Sequence, residues 1–446
     1  MKSEYLNRVL NDVILKNANE KEFIQAVKEF LSSLDEVVEK DPDIEKNAIL
    51  ERLVEPDRII SFKVPWVNDQ GEIKVNRGYR VQFNNAIGPY KGGLRFDASV
   101  NQSIVKFLGF EQIFKNSLTG LPMGGGKGGS DFSPRGKSDG EIMRFCQSFM
   151  LELYRHIGEN TDVPAGDFGV GAREIGYLFG YYKKLRNVYS GVITGKSVPY
   201  GGSLVRKEAT GFGLCYFTDQ LLKVMKNDSL KGKKVIVTGS GNVGTYAAVK
   251  AVQLGATVVA MSDISGVIYD ENGIDVKLVE SIKGSYRLLS DYLNTYPNTK
   301  FNPDPKSIWE VKCDVLFPCA TQNEIDLEDA KKIVANKPIA LCEGANMPTT
   351  IEATEYLMEN GILFAPGKAA NAGGVATSCL EMAQNASHNP WSAEVVDNRL
   401  REIMINIFNT CYETSVKYNA KGNLVLGANI AGFLRVYESM KAQGVL

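Results

Sequence analysis

Histidine is nearly absent from this chain: His156 and His388 are the only two in 446 residues. A His–Asp proton relay would have to use one of them. His156 ends a helix-like stretch beside Tyr154 and Arg155, and His388 stands in the polar turn Ser387-His388-Asn389-Pro390. Both read as structural or surface residues, so proton chemistry falls to lysine and carboxylate. Cysteine is sparse as well. Seven occur, with no C-x-x-C pair, which implies neither a disulfide framework nor a metal ligand set. No apolar run approaches the roughly 20 residues of a membrane span. The opening Met1-Lys2-Ser3-Glu4-Tyr5-Leu6-Asn7-Arg8 lacks a signal peptide's apolar core, so a cytoplasmic location is expected. An excess of one charge is missing too: 51 Lys+Arg stand against 52 Asp+Glu, net -1. Nucleic-acid and membrane-surface roles lack the basic face they need.

Glycine, by contrast, is abundant at 43 residues, and it gathers around lysine. Five glycines flank Lys127 in Leu121-Pro122-Met123-Gly124-Gly125-Gly126-Lys127-Gly128-Gly129, and Lys91 stands in Gly88-Pro89-Tyr90-Lys91-Gly92-Gly93. Glycines strip side chains from around the amine and let a small substrate reach the backbone. A lysine kept from water there would have a lowered pKa, as a catalytic amine requires. The run is no phosphate-binding P-loop, because Leu121 takes the first glycine position and Gly128 follows the lysine. A plain solvated loop lysine is the alternative. Asp167, in Asp162-Val163-Pro164-Ala165-Gly166-Asp167-Phe168-Gly169, is the best carboxylate candidate, with desolvation expected to raise its pKa. An Asx-turn former is the alternative there.

Downstream, Val235-Ile236-Val237-Thr238 reads as a buried strand entering Gly239-Ser240-Gly241-Asn242-Val243-Gly244, and residues 242 to 254 as a helix. That is the dinucleotide fingerprint in its proper context, with Asp263 ending the next strand, residues 257 to 262. Helices are also expected at 20 to 39 (capped by Asn19), 103 to 116, 138 to 158 and 210 to 225. A hairpin is expected over 58 to 67 and 72 to 83. Short apolar runs at Val315-Leu316-Phe317, Ile339-Ala340-Leu341 and Ile362-Leu363-Phe364 look like parallel central strands. The length implies two domains. The fold class expected is α/β, an N-terminal α/β substrate domain followed by a doubly wound Rossmann-type domain. The Gly/Pro/Ser-rich stretch near residues 195 to 204 marks the boundary, giving 1–201 for substrate and oligomerisation and 202–424 for the dinucleotide. The Gly201-Gly202 segment would act as a hinge.

Several blocks together resemble the hexameric glutamate dehydrogenases, in the shorter NADP-type form. They are residues 84 to 96, 120 to 130 and 162 to 171, Gly201-Gly202-Ser203-Leu204-Val205-Arg206, Glu343-Gly344-Ala345-Asn346-Met347-Pro348-Thr349, and Ala369-Ala370-Asn371-Ala372-Gly373-Gly374-Val375-Ala376-Thr377-Ser378. The chain has no room for the antenna insertion of animal homologues. The resemblance implies that Lys127 and Asp167 are catalytic. The lysine would polarise a 2-oxo group and activate water, and the aspartate would exchange protons with the amine. It implies Gln112, Lys115 and Gly166 at the substrate's 1-carboxylate and reacting end, Lys91 and Ser378 at the distal carboxylate, and Val375 beside them. For the cofactor it implies Thr210 and Asn346 near the nicotinamide ribose and carboxamide, Ser240, Asn242 and Val243 along the pyrophosphate, and Ala320 close by. The final helix, 425–446, would pack back on the N-terminal domain, and a homohexamer is expected.

Each carboxylate of a dicarboxylate entering an apolar cleft needs a fixed cation, and Lys91 and Lys115 would supply one each. Their repulsion would favour a neutral amine at Lys127. Relatives acting on leucine or phenylalanine are apolar at the position of Lys91, so glutamate and 2-oxoglutarate are the expected pair. A branched-chain amino-acid dehydrogenase is the rival within the class, and a catalytically dead sensor the rival outside it. Asp263 by the simple rule would favour NAD. The Ser262-Asp263 pair resembles NADP users, and Lys283 and Arg287, one helical turn apart, would neutralise a 2′-phosphate. NADP is the reading taken, with NAD the alternative. Three departures from the family pattern stand out: Cys379 for a common glycine, Gly244 for a frequent alanine, of small expected effect, and Lys207 for a frequent proline.

Overall fold

In a computed structural model describing residues 1–445, the chain divides into two compact units. The first comprises Met1–Arg206 with Thr377–Val396 and the segment from Asn429 on; the second comprises Lys207–Ala376 with Asp397–Ala428. Relative to a single cut at 201/202, residues 377 to 396 also join the first unit.

The first unit is built on a five-stranded sheet of β1 (Arg58–Val67), β2 (Ile73–Asn84), β3 (Tyr90–Phe96), β4 (Gly125–Ser130) and β5 (Asp162–Gly166), in the order β1-β2-β4-β3-β5. The hairpin β1–β2 is antiparallel, while β3 runs parallel to both β4 and β5. The helix Gln102–Leu118, started by Asn101 accepting from the Ile104 N–H, lies against β4. Asp139–Leu153 begins with a Ser138–Glu141 capping box and sends Phe145 and Phe149 into a phenylalanine core. There Phe132 and Phe145 stack with centroids 3.7 Å apart. Each such burial is worth about 1.5–3 kcal/mol, so the sheet face is firmly held. The expected helix over 20 to 39 is two pieces, Lys21–Ser32 and Asp35–Lys40, with Glu20 rather than Asn19 at the cap position. The segment 154 to 158 lies outside Asp139–Leu153, and His156 and His388 are both exposed.

One alternative falls away at the heart of this unit. The glycine-lysine run is strand β4, buried along its length, and no open loop. Its glycines are there because neighbours come too close for a side chain. A Cβ at Gly125 would lie 2.4 Å from Ile113 Cγ1, and one at Gly128 would lie 2.7 Å from the Tyr79 carbonyl oxygen.

The second unit carries seven strands, β6 (Lys234–Thr238), β7 (Thr257–Asp263), β8 (Gly266–Tyr269), β9 (Lys300–Asn302), β10 (Val315–Pro318), β11 (Ala340–Cys342) and β12 (Leu363–Ala365). Their order is β12-β11-β10-β6-β7-β8-β9. The five from β12 to β7 are parallel and near-uniformly buried, as strands covered on both faces must be. Order reverses between β6 and β10, the switch point of a doubly wound sheet. β8 and β9 run antiparallel at one edge of the sheet. The cause is local: only Ile264 and Ser265 separate β7 from β8, a turn too short for a parallel crossover.

Candidate active site

Parallel pairing of β3 with β4 and β5 collects the charged groups of the first unit. Lys91, Gly93 and Arg95 alternate onto one face of β3. Gly93 is required there, since a Cβ would fall 2.8 Å from Asp167 Cβ and 2.6 Å from the Gly166 carbonyl oxygen. Asp167 follows β5, and its Oδ2 lies 3.1 Å from Lys127 Nζ and accepts from Arg95 Nε at 2.8 Å. Lys127 and Asp167 are thus in contact, with side chains 8% and 21% exposed.

The electrostatics correct two expectations. Asp167 was expected to titrate high. Burial does push it up, but the ammonium of Lys127 and the guanidinium of Arg95 together outweigh it and hold the carboxyl below its usual range. Lys127 is lowered, as expected, chiefly by burial against the opposing pull of Asp167. The cations that add to the lowering are Arg95 and Arg80 rather than Lys91 and Lys115. Lys91 carries the clearest shift, down to about 7. Burial leads, Arg206 and Arg80 add to it, and Glu381 opposes.

Lys91 Nζ donates to Thr194 Oγ1 at 2.9 Å. Ser378 Oγ accepts from Arg206 Nε at 2.9 Å. Arg206 follows Val205, whose φ of 64° is rare for a β-branched residue and costs about 1–3 kcal/mol. Gln112 and Lys115 project from Gln102–Leu118. Gln112 donates to Asn116, which in turn donates to the Lys91 and Gly124 carbonyls. A Cβ at Gly92 would come 3.4 Å from Gln112 Cγ. Val375 falls in the second unit. Cys379 is buried, and the fields of Lys91 and Arg435 oppose the rise that burial imposes on its thiol.

Sequence reasoning assigned no role to Arg95, Thr194, Arg206 or Glu381. Arg95 was recoverable, being four residues from Lys91 on a strand and so on the same face. Thr194 and Glu381 reach the site through contacts 103 and 185 or 186 residues distant in sequence, which no local pattern reports.

In the second unit the three fingerprint glycines have three separate reasons. Gly239 has φ +70°, and its Cβ would sit 2.5 Å from Ala320 Cα, which places Ala320 at the switch point. A Cβ at Gly241 would meet nothing within 4 Å, leaving open space before the helix Asn242–Gln253. At Gly244 a Cβ would lie 1.8 Å from the Gly239 carbonyl oxygen. An alanine there would force the loop to shift, so glycine at 244 matters more than expected. Ser240 Oγ is buried without a partner among the described residues, while Asn242 donates to the Lys207 carbonyl at 2.6 Å. An open cradle at a helix N-terminus with an orphaned hydroxyl fits a pyrophosphate. Thr210 is the second residue of Ala209–Lys226, and Asn346 accepts from Asn371 at 2.8 Å. Asp263 is saturated by its own chain: Lys283 Nζ at 2.7 Å, the Leu289 N–H at 2.8 Å, and the Ser265 N–H and hydroxyl. Arg287 is not one helical turn from Lys283, because the helix Val276–Gly284 ends first and Tyr286 turns left-handed at φ 55°. It pairs with Asp291 at 2.7 Å instead. Among the described residues no cluster of metal-ligating side chains occurs, and no helix is long and apolar enough to cross a membrane.

Two family models cover most of the chain: Glu/Leu/Phe/Val dehydrogenase, dimerisation domain, over residues 56–184, and Glutamate/Leucine/Phenylalanine/Valine dehydrogenase over 201–444. The chain belongs to this dehydrogenase family. It is 53% identical to the NAD-specific glutamate dehydrogenase of Bacteroides fragilis, over 99% of this chain and 100% of that one. It is 54% identical to the NADP-specific glutamate dehydrogenase of Helicobacter pylori, over 99% and 100%. The crystal structure of Plasmodium falciparum glutamate dehydrogenase superposes with a TM-score of 0.97 at 51% identity, covering 99% of this chain and 95% of that one.

Proposed function

We propose that this dehydrogenase interconverts L-glutamate with 2-oxoglutarate and ammonium, using NADP(H), in the cytoplasm and as a homohexamer. The observation that carries the reading is the buried contact between Lys127 and Asp167 on a glycine strand, with Lys91 on the adjoining strand. In deamination Asp167, kept ionised by Lys127 and Arg95, takes a proton from the substrate ammonium. The dinucleotide supplies the hydride acceptor for the substrate's α-carbon. Water then adds to the resulting iminium carbon, with Lys127 removing one of its protons. Asp167 returns its proton to the carbinolamine nitrogen, and the C–N bond breaks as the departing ammonia takes the hydroxyl proton and leaves as ammonium. Burial favours the neutral amine that Lys127 needs for this step.

Lys91 sets the substrate class. A buried amine with a threonine hydroxyl beneath it leaves two donors for a second carboxylate, joined by Arg206 and Ser378. Leucine or phenylalanine would leave that cation desolvated and unpaired. Lys115, Gln112 and Gly166 serve the first carboxylate and the reacting end. Gly239 to Gly244 hold the pyrophosphate, with Ala320, Thr210 and Asn346 toward the nicotinamide. NADP is favoured over NAD because Asp263 has no lone pair left for a ribose hydroxyl, and Lys283 cancels its charge. Relatives of either specificity are similar to this chain, at 53% and 54% identity, and this local geometry is what supports NADP over NAD. Following NADPH and NADH oxidation with 2-oxoglutarate, 2-oxoisocaproate and ammonium tests it. Turnover of 2-oxoisocaproate in preference to 2-oxoglutarate would replace glutamate as substrate, and no oxidation of either cofactor would point to a sensor.

A further inference from the structure

Glu381 lies on the helix Gly373–Ser387, one turn beyond Ser378, with no solvent exposure. Residues three apart on a helix share a face, so Ser378 and Glu381 look the same way. The carboxylate of Glu381 gathers three donors from a single loop: the Gly195 N–H at 3.0 Å, the Lys196 N–H at 3.4 Å and Lys196 Nζ at 2.8 Å. Lys196, whose side chain is equally buried, turns back to the Ile193 carbonyl as well. Between Ile193 and Gly195 stands Thr194. Its N–H donates to the Pro164 carbonyl on β5 at 3.0 Å, and its hydroxyl accepts from Lys91.

A buried lysine–glutamate pair is seldom more stabilising than an apolar pair of equal volume, so stability alone is a weak reason for this one. What the pair does geometrically is join two pieces of chain. One carries Ser378, the other carries the hydroxyl on which Lys91 rests. Lysine has a long flexible stem, and its ammonium is directed only by what holds it. Glu381 makes no bond to Lys91 itself. It is occupied by Lys196 and the loop amides, so it does not compete with an incoming anion for Lys91.

We propose that Glu381 is a positioning residue, which fastens the Thr194 loop to the helix bearing Ser378 and thereby sets Lys91 for the substrate's distal carboxylate. This rests on the assignment of Lys91 made above. The test compares 2-oxoglutarate with 2-oxopentanoate, which has the same five-carbon chain without the far carboxylate. In Glu381→Gln, the ratio of kcat/KM for 2-oxoglutarate to that for 2-oxopentanoate falls about tenfold to thirtyfold, with the change carried by KM for 2-oxoglutarate. Equal loss on both substrates, or no loss, overturns the proposal. Should the lone Lys196 charge unfold that variant, Lys196→Met with Glu381→Gln removes both charges. The ratio stays depressed in the double variant if Glu381 positions, and its return to the wild-type value overturns the proposal. The unmodified enzyme guards the underlying reading: if it does not prefer 2-oxoglutarate to 2-oxopentanoate, the assignment of Lys91 fails, whatever the variants do.

Discussion

The two units prepare for negative charge by opposite means. In the first, glycines make room for side-chain cations: Lys91 and Lys127 are buried on strands whose neighbours approach within a few ångströms. In the second, glycine leaves open space before Asn242–Gln253, and on the proposed reading the charge there comes from backbone N–H groups at the start of that helix. A side-chain cation can be titrated and can be lost by one substitution. A backbone cradle has nothing to titrate and is spoiled by shape.

That contrast sets the order of the predictions. The largest effect belongs to Lys127→Ala, expected to lower kcat for amination about 10³-fold or more while the dinucleotide still binds, as checked by stopped-flow and cofactor titration. Turnover near the original rate would remove Lys127 from the chemistry. Lys91→Leu comes next, with kcat/KM for 2-oxoglutarate falling about 10²- to 10³-fold, because it leaves a carboxylate buried without its cation. Nearly unchanged glutamate turnover would refute the role given to Lys91.

The pH response sharpens the comparison further. With Lys91 down at about 7 in the empty site, its amine is mostly neutral above that pH. A bound carboxylate raises the pKa, so binding takes up a proton. Affinity for 2-oxoglutarate then weakens up to about tenfold per pH unit between 7 and the bound-state value. Calorimetry in buffers of differing ionisation enthalpy would detect the proton, and a pH-independent affinity would break the assignment. Cofactor affinity should stay flatter over the same range.

Shape is tested in the cradle. Gly241→Val places a side chain in the open space before the helix. It is expected to raise the dinucleotide KM about tenfold by displacing the anion from the dipole, with the thermal midpoint little changed. Gly239→Ala should do the reverse and lower the midpoint, since φ +70° and the Ala320 contact both reject a Cβ. Matching effects from the two would erase the distinction. Smallest is Lys283→Ala, expected to lower kcat/KM for NADPH about tenfold and leave NADH nearly as it was, because Asp263 would then face a 2′-phosphate uncompensated.

Much of the site was legible locally. The fingerprint glycines, Lys127, Asp167 and Lys91 each sit in a run whose composition announces close backbone approach, and short-range pattern is what a sequence reports most directly. Helices were visible in the same way, such as the one expected over 103 to 116 and found at Gln102–Leu118. Harder was the meaning of glycine. The glycine-lysine run, to which no element was assigned from sequence, is strand β4, because glycine is compatible both with irregular backbone and with strands pressed against their neighbours.

The residues themselves determined the family of chemistry: too little histidine for an imidazole relay, lysines set in glycine, and a nucleotide fingerprint between a strand and a helix. Tertiary structure alone decided how those groups are tuned. Asp167 is held low because Arg95 and Lys127 arrive from two other strands. Lys91 is set by Thr194 and opposed by Glu381, which come from far along the chain. Charge and burial act through space, and distance in space is what a linear sequence does not contain.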